Sequence, residues 1–381
     1  MNHSWMQLNP KTVYHLNIYK TENMSLNSFV TLGHSGLRVS RLVMGAMTFG
    51  EETGFGSDAK QSDQILSKYL ELGGNFIDTA NIYTKGHSEK IIGDYFAKEK
   101  GKRNRVVIAS KFMGNLYAGD PNGGGAGRKA IFDQCHESLR RLQTDYIDLY
   151  WLHAWDRLTP VEETMSALND LVREGKIRYI GFSDVPAWKA AQAQVMAEAN
   201  NWAPIIALQL EYSLLERTIE GEHVEMAGEL GMGIIPWSPL KSGLLSGKFT
   251  KANPMSGVRS YFIGKVTDHQ YAIIDEVVKI ANELDTKPAI VALAWVQQKN
   301  GVCATLLGAR TLEQLESNVK SMDLKLPESA IKRLDEISKP TLNFPYDFLG
   351  NTINLSQAGT TVNGITSQIT PMTPANDAER H

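Results

Sequence analysis

Along this chain, short apolar runs alternate with longer stretches whose apolar residues recur at helical spacing. Residues 29–50 carry two short apolar segments around a Ser-Gly turn, which predicts a hairpin, and Leu42 to Met44 begins a buried strand. Gln61 to Leu72 places Ile65, Leu66, Tyr69, Leu70 and Leu72 at helical spacing, and Gly73-Gly74 stops that helix. Phe76-Ile77 opens the next strand, which ends at Asp78, and Ser88 to Lys100 is helical. Val106 to Ala109 is a β-branched strand ending at Lys111, followed by a helix over Lys129 to Leu142. The strand Tyr146 to Trp151 ends at His153 and leads to a helix over Val161 to Arg173. Ile177 to Phe182 ends at Ser183-Asp184, and Pro186 sits in the first turn of a helix running to Ala199. Ile205 to Leu210, containing Gln209, precedes a helix over Ile219 to Leu230. Gly233 to Pro236 ends at Trp237, and a long loop leads to two helices, Tyr271 to Leu284 and Pro288 to Lys299. Val302 to Leu307 ends at Gly308, and Leu312 to Met322 reads as the closing helix.

Eight strands, each followed by helix, predict an α/β fold closed as a (β/α)8 TIM barrel, with an N-terminal hairpin and a C-terminal loop. A doubly wound open sheet is the runner-up, but the Gly-x-Gly-x-x-Gly turn it usually carries after its first strand is missing. The barrel is read over residues 29–340. The extension 1–28 is expected to be loose, and the Thr-, Asn-, Ser- and Gly-rich segment 341–381 to be partly disordered. Within that segment Phe344, Tyr346 and Phe348 are expected to pack over the barrel rim and narrow the pocket.

The unusual polar residues fall in a regular place. Asp78, Lys111, His153, Ser183, Asp184, Gln209 and Trp237 lie at or just past the C-terminal ends of different strands, and in a barrel those ends converge on one active face. Any one of them alone reads more readily as a solvated or packing residue; together on one rim they read as a site. Tyr83 follows the Asp78 strand. A tyrosine of pKa near ~10 is a poor acid at neutral pH, and an ammonium such as Lys111 lowers that value by favouring the phenolate. Asp78 can hold Lys111, and a ring N–H of His153 can position a carbonyl oxygen. Such a set delivers a proton to an oxygen while something else reduces the carbon, and that something must be a nicotinamide cofactor, since no side chain donates hydride.

Composition narrows the classes. A net charge of −3 and a pI near 6.3 give no sign of a nucleic-acid partner. Only Cys135 and Cys303 are present, which suits a reducing compartment and leads us to expect a cytoplasmic protein. No apolar run approaches ~18 residues, so no transmembrane helix or membrane partner is expected. The first residues lack a basic start followed by an apolar block, so no signal peptide is expected, and Met24 is an alternative start. His136 and Glu137 are adjacent on a helix and do not share a face, so no metal site is expected. The glycine-rich run 119–127 lacks the Gly-Lys-Ser/Thr ending of a phosphate loop and reads as a flexible loop beside the substrate opening. Oligomeric state is left open.

Several segments together resemble the aldo-keto reductase superfamily, in particular its branch of aryl-alcohol dehydrogenase-like and potassium-channel β-subunit-like proteins. They are Asn75-Phe-Ile-Asp-Thr-Ala80, Tyr83 with Gly86 and Ser88-Glu89, Ala109-Ser-Lys111, Leu139-Arg-Arg-Leu with Asp145-Tyr-Ile-Asp-Leu149, and His153. Gly181-Phe-Ser-Asp184, Trp237-Ser-Pro-Leu240 and Ser242-Gly-Leu-Leu-Ser-Gly-Lys248 complete the set. The resemblance covers residues 30–340. It implies that Tyr83 is the general acid, that Lys111 and Asp78 tune it, and that His153 orients the carbonyl. It implies NADP(H), with Ser183, Asp184 and Gln209 on the carboxamide and Trp237 stacked on the ring. Ser238, Pro239, Leu240, Ser242, Gly243 and Lys248 would follow the pyrophosphate, with Arg259 as a further cation. Gly308, Arg310, Gln314 and Asn318 would hold the adenosine end, where the Arg310 guanidinium suits a 2′-phosphate. Asp184 departs from the family, which usually has Asn there; an ionised carboxylate accepts from the carboxamide NH2 but donates nothing to its oxygen. The leading expectation is thus an NADPH-dependent reductase of small aldehydes or ketones, reversible toward alcohol oxidation. The alternatives are a cofactor-binding regulatory subunit with slow turnover, and a barrel lyase or isomerase that uses Lys111 as a Schiff base.

Overall fold

A computed structural model describes residues 26–99, 101–255, 263–350 and 352–380. The extension through residue 25 lies outside them. Eight parallel strands follow in sequence order around one sheet: β3 (Leu42–Gly45), β4 (Phe76–Asp78), β5 (Val107–Phe112), β6 (Ile147–Leu152), β7 (Ile177–Ser183), β8 (Ile205–Glu211), β9 (Gly233–Trp237) and β10 (Thr305–Gly308). β10 pairs back onto β3, with Gly308 opposite Gly45. The last seam is thin: Ile234 of β9 bridges Val302, and the Cys303 N–H donates to the Ile234 carbonyl at 3.0 Å. This is the (β/α)8 barrel expected from the alternation.

The antiparallel hairpin of β1 (Phe29–Thr31) and β2 (Arg38–Ser40) closes the N-terminal end of the barrel. Leu32 and Val39 of the hairpin join the barrel interior, and the His34 N–H donates to the Gly231 carbonyl, just before β9, at 2.7 Å. The open end is therefore the one where the strands finish.

Two apolar layers hold the barrel. The inner one contains Val43, Phe76, Val107, Ala109, Leu149, Trp151, Ala207 and Ile235. Trp151 fills it against β7, where a Cβ on Gly181 would stand 2.3 Å from the indole ring. The outer layer lies between sheet and helices and draws on Ile65, Leu66, Ile131, Leu168 and Val277. Its helices are α1 (Ala59–Glu71), α2 (His87–Lys98), α3 (Arg128–Leu142), α4 (Val161–Arg173), α5 (Ala187–Ala199), α6 (His223–Glu229), α7 (Asp268–Glu283), α8 (Pro288–Gln297) and α9 (Leu312–Val319). None of the described helices is long and apolar enough to cross a membrane.

Three sequence expectations need correction. The closing helix stops at Val319 and tightens into a 3-10 turn over Lys320–Met322. Beyond it lies a helix the sequence reading missed, α10 (Glu328–Ile337), which buries Ala330 and Leu334 and whose Asp335 accepts from Trp295 Nε1 at 2.9 Å. Two of the three aromatics after residue 341, Phe344 and Phe348, do not pack over the rim. Phe344 is 84% exposed and Phe348 is exposed beside it, their ring centroids 6.3 Å apart. Tyr346 lies beside Glu222, in the loop between β8 and α6.

Candidate active site

The strand ends divide the rim into two neighbouring sectors. β4, β5 and β6 are consecutive around the sheet and deliver Asp78, Lys111 and, one residue past β6, His153. β7 to β10 follow and deliver Ser183, Gln209, Trp237 and Gly308.

In the first sector Lys111 is buried, and its Nζ has three acceptors, as many as an ammonium has N–H groups. They are the Asp78 carboxylate, the Thr79 carbonyl at 3.1 Å and the Tyr83 hydroxyl oxygen at 3.1 Å. A buried ion pair persists when its remaining polar atoms are also satisfied, and that condition is met here. Asp78 directs Oδ1 to Lys111 and Oδ2 to Gln209 Nε2 at 3.0 Å. Since a carboxylate only accepts, the Gln209 amide must face it with its nitrogen, and Oε1 is what remains for a ligand. Gln209, expected only as a cofactor contact, is therefore also a brace for Asp78, which sequence spacing could not show.

Tyr83 owes its position to the turn that follows it. Thr84, Lys85 and Gly86 have φ values of 46°, 58° and 88°, all left-handed. For a β-branched residue this is a strained conformation, and Thr84 is held there by its own side chain. Thr84 Oγ1 donates to the Phe49 carbonyl at 2.8 Å and accepts from the Ser88 N–H at 2.9 Å, so it also caps the start of α2. Gly86 supplies the third left-handed step at no steric cost.

Electrostatics correct one expectation. Burial raises the Tyr83 phenol above its ordinary pKa, and the Lys111 ammonium, although it pulls the other way, does not overcome it. Tyr83 is thus a protonated phenol at neutral pH, with Lys111 bonded to its oxygen. Burial pulls the Lys111 ammonium down, but the Asp78 carboxylate and the hydrogen bonds to Asp78 and Tyr83 outweigh it, and its pKa is raised. The His153 ring meets Tyr83 edge-on, centroids 5.5 Å apart, and burial with the nearby Lys111 charge pushes its pKa down to about 3. His153 is therefore a neutral imidazole with one N–H and one acceptor nitrogen.

In the second sector Asp184 has a left-handed backbone, φ 44°, and its Oδ1 accepts from Trp237 Nε1 at 2.9 Å. Burial and the neighbouring Glu211 raise its carboxyl to about 6, against the Trp237 bond that lowers it. Glu211, paired in register with Trp237 and bonded to Lys241 at 2.5 Å, was not singled out from the sequence. It lies two residues past Gln209 and so on the same face of β8, which is the signal that could have found it.

Beyond Trp237 the chain makes a tight path. Ser238, Lys241, Ser242 and Gly243 all have positive φ, the Ser242 N–H donates to Ser238 Oγ at 3.1 Å, and the Gly243 N–H donates to the Leu240 carbonyl at 2.9 Å. Pro239 is buried beneath it and Lys248 is exposed. Arg259 lies outside the described residues. At β10, nothing stands within 4 Å of where a Gly308 Cβ would be. Gln314 accepts the Arg310 N–H at 2.9 Å, and the Arg310 guanidinium has no ion pair among the described residues. Asn318 is buried on the same helix, α9.

These residues fit a dinucleotide on three observations. Gln209 keeps a free Oε1, Arg310 keeps an unpaired cation, and Gly308 leaves open space for close backbone approach. They bring together in one face what the sequence dispersed over some 240 residues, roughly the span of one barrel.

Comparisons with known proteins agree with this geometry. The family model described as "Aldo/keto reductase family" matches residues 41–339. An uncharacterised oxidoreductase of Bacillus subtilis, YrpG, is 38% identical over 81% of this chain and 95% of its own length. An aryl-alcohol dehydrogenase of Pestalotiopsis microspora is 36% identical over 83% of each chain, and a norsolorinic acid reductase of Aspergillus flavus is 34% identical over 84% of this chain and 82% of its own. With a barrel, a rim built from its strand ends and a family match along most of its length, the chain belongs to the aldo/keto reductase family, oxidoreductases that use a nicotinamide cofactor.

Proposed function

We propose that this protein reduces aromatic aldehydes or ketones to alcohols, reversibly, with NADPH as reductant. The observation that carries the reading is the Asp78–Lys111–Tyr83 chain beside a neutral His153. Because Lys111 Nζ donates to the Tyr83 oxygen, the hydroxyl hydrogen of Tyr83 is directed elsewhere, toward a substrate oxygen in the opening. When that proton leaves, the phenolate is met by an ammonium already in place, which stabilises charge as it develops. Asp78 and Gln209 fix the ammonium, and the His153 N–H orients the carbonyl. When bound, the nicotinamide supplies the hydride.

Ser183, Asp184, Gln209 and Trp237 are proposed for the nicotinamide end, and Ser238, Pro239, Leu240, Ser242, Gly243, Lys248 and Arg259 for the pyrophosphate path. Gly308, Arg310, Gln314 and Asn318 are proposed for the adenosine end. The unpaired Arg310 favours a 2′-phosphate and so NADPH over NADH. Aromatic substrates are favoured because a relative that aligns along most of both chains is named as an aryl-alcohol dehydrogenase. A Schiff-base role for Lys111 is disfavoured, since its nitrogen is fully bonded and its pKa is raised, leaving no free lone pair.

The test is turnover. With aromatic aldehydes the purified protein should oxidise NADPH faster than NADH, and Arg310→Ala should lose that preference. No oxidation of either cofactor across such a panel would overturn the reading.

A further inference from the structure

Just outside the candidate active site, the loop after β6 and the start of α5 line an open cleft of about 620 Å³ that contains none of the residues proposed for proton transfer or cofactor binding. Two indoles face it. Trp155 lies two residues past His153, and Trp188, in the first turn of α5, is 60% exposed. Lys189 stands over both rings, its Nζ 5.1 Å from the Trp155 centroid and 4.4 Å from that of Trp188. Arg157 lines the same cleft and has no ion pair among the described residues. Leu158, 95% exposed, completes an apolar edge.

Among the described residues, no carboxylate lines this cleft. The nearest in sequence, Asp156, is engaged elsewhere: its oxygens accept from the Ala126 N–H, the Leu158 N–H and Thr159 Oγ1 at 2.7–2.9 Å. On a chain of net charge −3, this is a local surface of two cations and two large aromatic faces. Large exposed indoles are costly to leave in water, and each cation that sits on a ring face leaves N–H groups pointing outward. A flat aromatic body carrying an anionic group satisfies both at once. The ring covers indole, and the anion meets Arg157 and Lys189.

The cleft continues toward the catalytic rim. A second cavity, of about 450 Å³, shares Trp155, Arg157 and Pro186 with it and reaches Ala154, next to His153, and Asp184. That second cavity is lined by Asp184, Glu211 and Glu216, with His223 and no cation besides the shared Arg157, so it is the less favourable of the two for an anion. A molecule spanning both must place its acidic end outward.

We propose that the Trp155–Trp188–Lys189–Arg157 cleft is a binding site for planar aromatic anions, and that it receives the acidic far end of the carbonyl substrate. The second half of this proposal rests on the carbonyl-reductase reading; the first does not. Titration calorimetry with biphenylcarboxylate, and with its neutral carboxamide, tests the site without turnover. The acid should bind the wild type about tenfold or more tighter than the amide, as expected for a charge-assisted contact. Arg157→Met should abolish that difference while leaving benzaldehyde turnover unchanged, and Trp188→Ala should weaken acid and amide together. Equal binding of acid and amide to the wild type, or an unchanged preference in Arg157→Met, would overturn the site. In kinetics, a formyl-biphenylcarboxylate should show a lower KM than its methyl ester, again only while Arg157 is present. If benzaldehyde itself is not reduced, the catalytic reading fails and the calorimetry still judges the cleft. If benzaldehyde is reduced but acids gain nothing, the cleft proposal alone fails.

Discussion

At Tyr83, His153 and Asp184 burial is the largest influence on titration. At Tyr83 desolvation outweighs Lys111 and raises the phenol; from the sequence, with Lys111 in view and burial not, the opposite sign is the natural reading. For His153 the imidazole is depressed from 6.5 to about 3, so the unfolded chain takes up a proton in that window and the folded chain does not. Its contribution to stability is therefore present above 6.5 and lost as pH falls through the window. Its ring signals in a proton NMR titration should stay flat between about pH 5 and 8, whereas an inflection near ~6.5 would contradict a buried neutral ring. Asp184 has the opposite sense. Its acid is raised from 3.8 to about 6, so folding disfavours the ionised form, and stability present below 3.8 is lost as pH rises through 6. Asp184→Asn removes this titration and keeps an oxygen for Trp237. Its melting temperature should exceed that of the wild type above about pH 7, with the gap closing near pH 4. A gap of the same size at both pH values would show that the carboxyl is not perturbed.

At the scale of elements, most of the candidate site was legible. A period switching between strand and helix located every strand end, and the strand ends located Asp78, Lys111, His153, Ser183, Gln209 and Trp237. What was not legible came from contacts between distant segments. The Gln209–Asp78 bond joins β8 to β4 across the barrel mouth, and the meeting of Trp155 with Lys189 joins the β6 loop to α5. No local pattern encodes either. Nor could the sequence show that Phe344 and Phe348 would stand in solvent, since aromatic content says what can be buried and not against what. The β6–β7 pair offers a direct check on the barrel interior. A methyl at Gly181 would meet the Trp151 ring, which is enclosed and has nowhere to move, so Gly181→Ala should cost about 1–3 kcal/mol as overpacking does. Urea unfolding would measure this; a midpoint unchanged from the wild type would mean that the two residues do not face one another.

For the whole molecule, the proposed function assigns two tasks to two sectors of the barrel. β4 to β6 hold the groups proposed for proton delivery, β7 to β10 present those proposed for the cofactor, and the hairpin at the far end leaves the C-terminal rim as the open face. This division explains why the loss of one phenol should leave cofactor binding intact. The decisive measurement compares Tyr83→Phe with the wild type under single-turnover conditions with NADPH and an aromatic aldehyde, while NADPH affinity is followed separately by fluorescence. Loss of general acid catalysis should lower the reduction rate by about a hundredfold or more, with NADPH affinity unchanged. A Tyr83→Phe protein that binds NADPH and reduces the aldehyde at the wild-type rate would contradict Tyr83 as the proton donor.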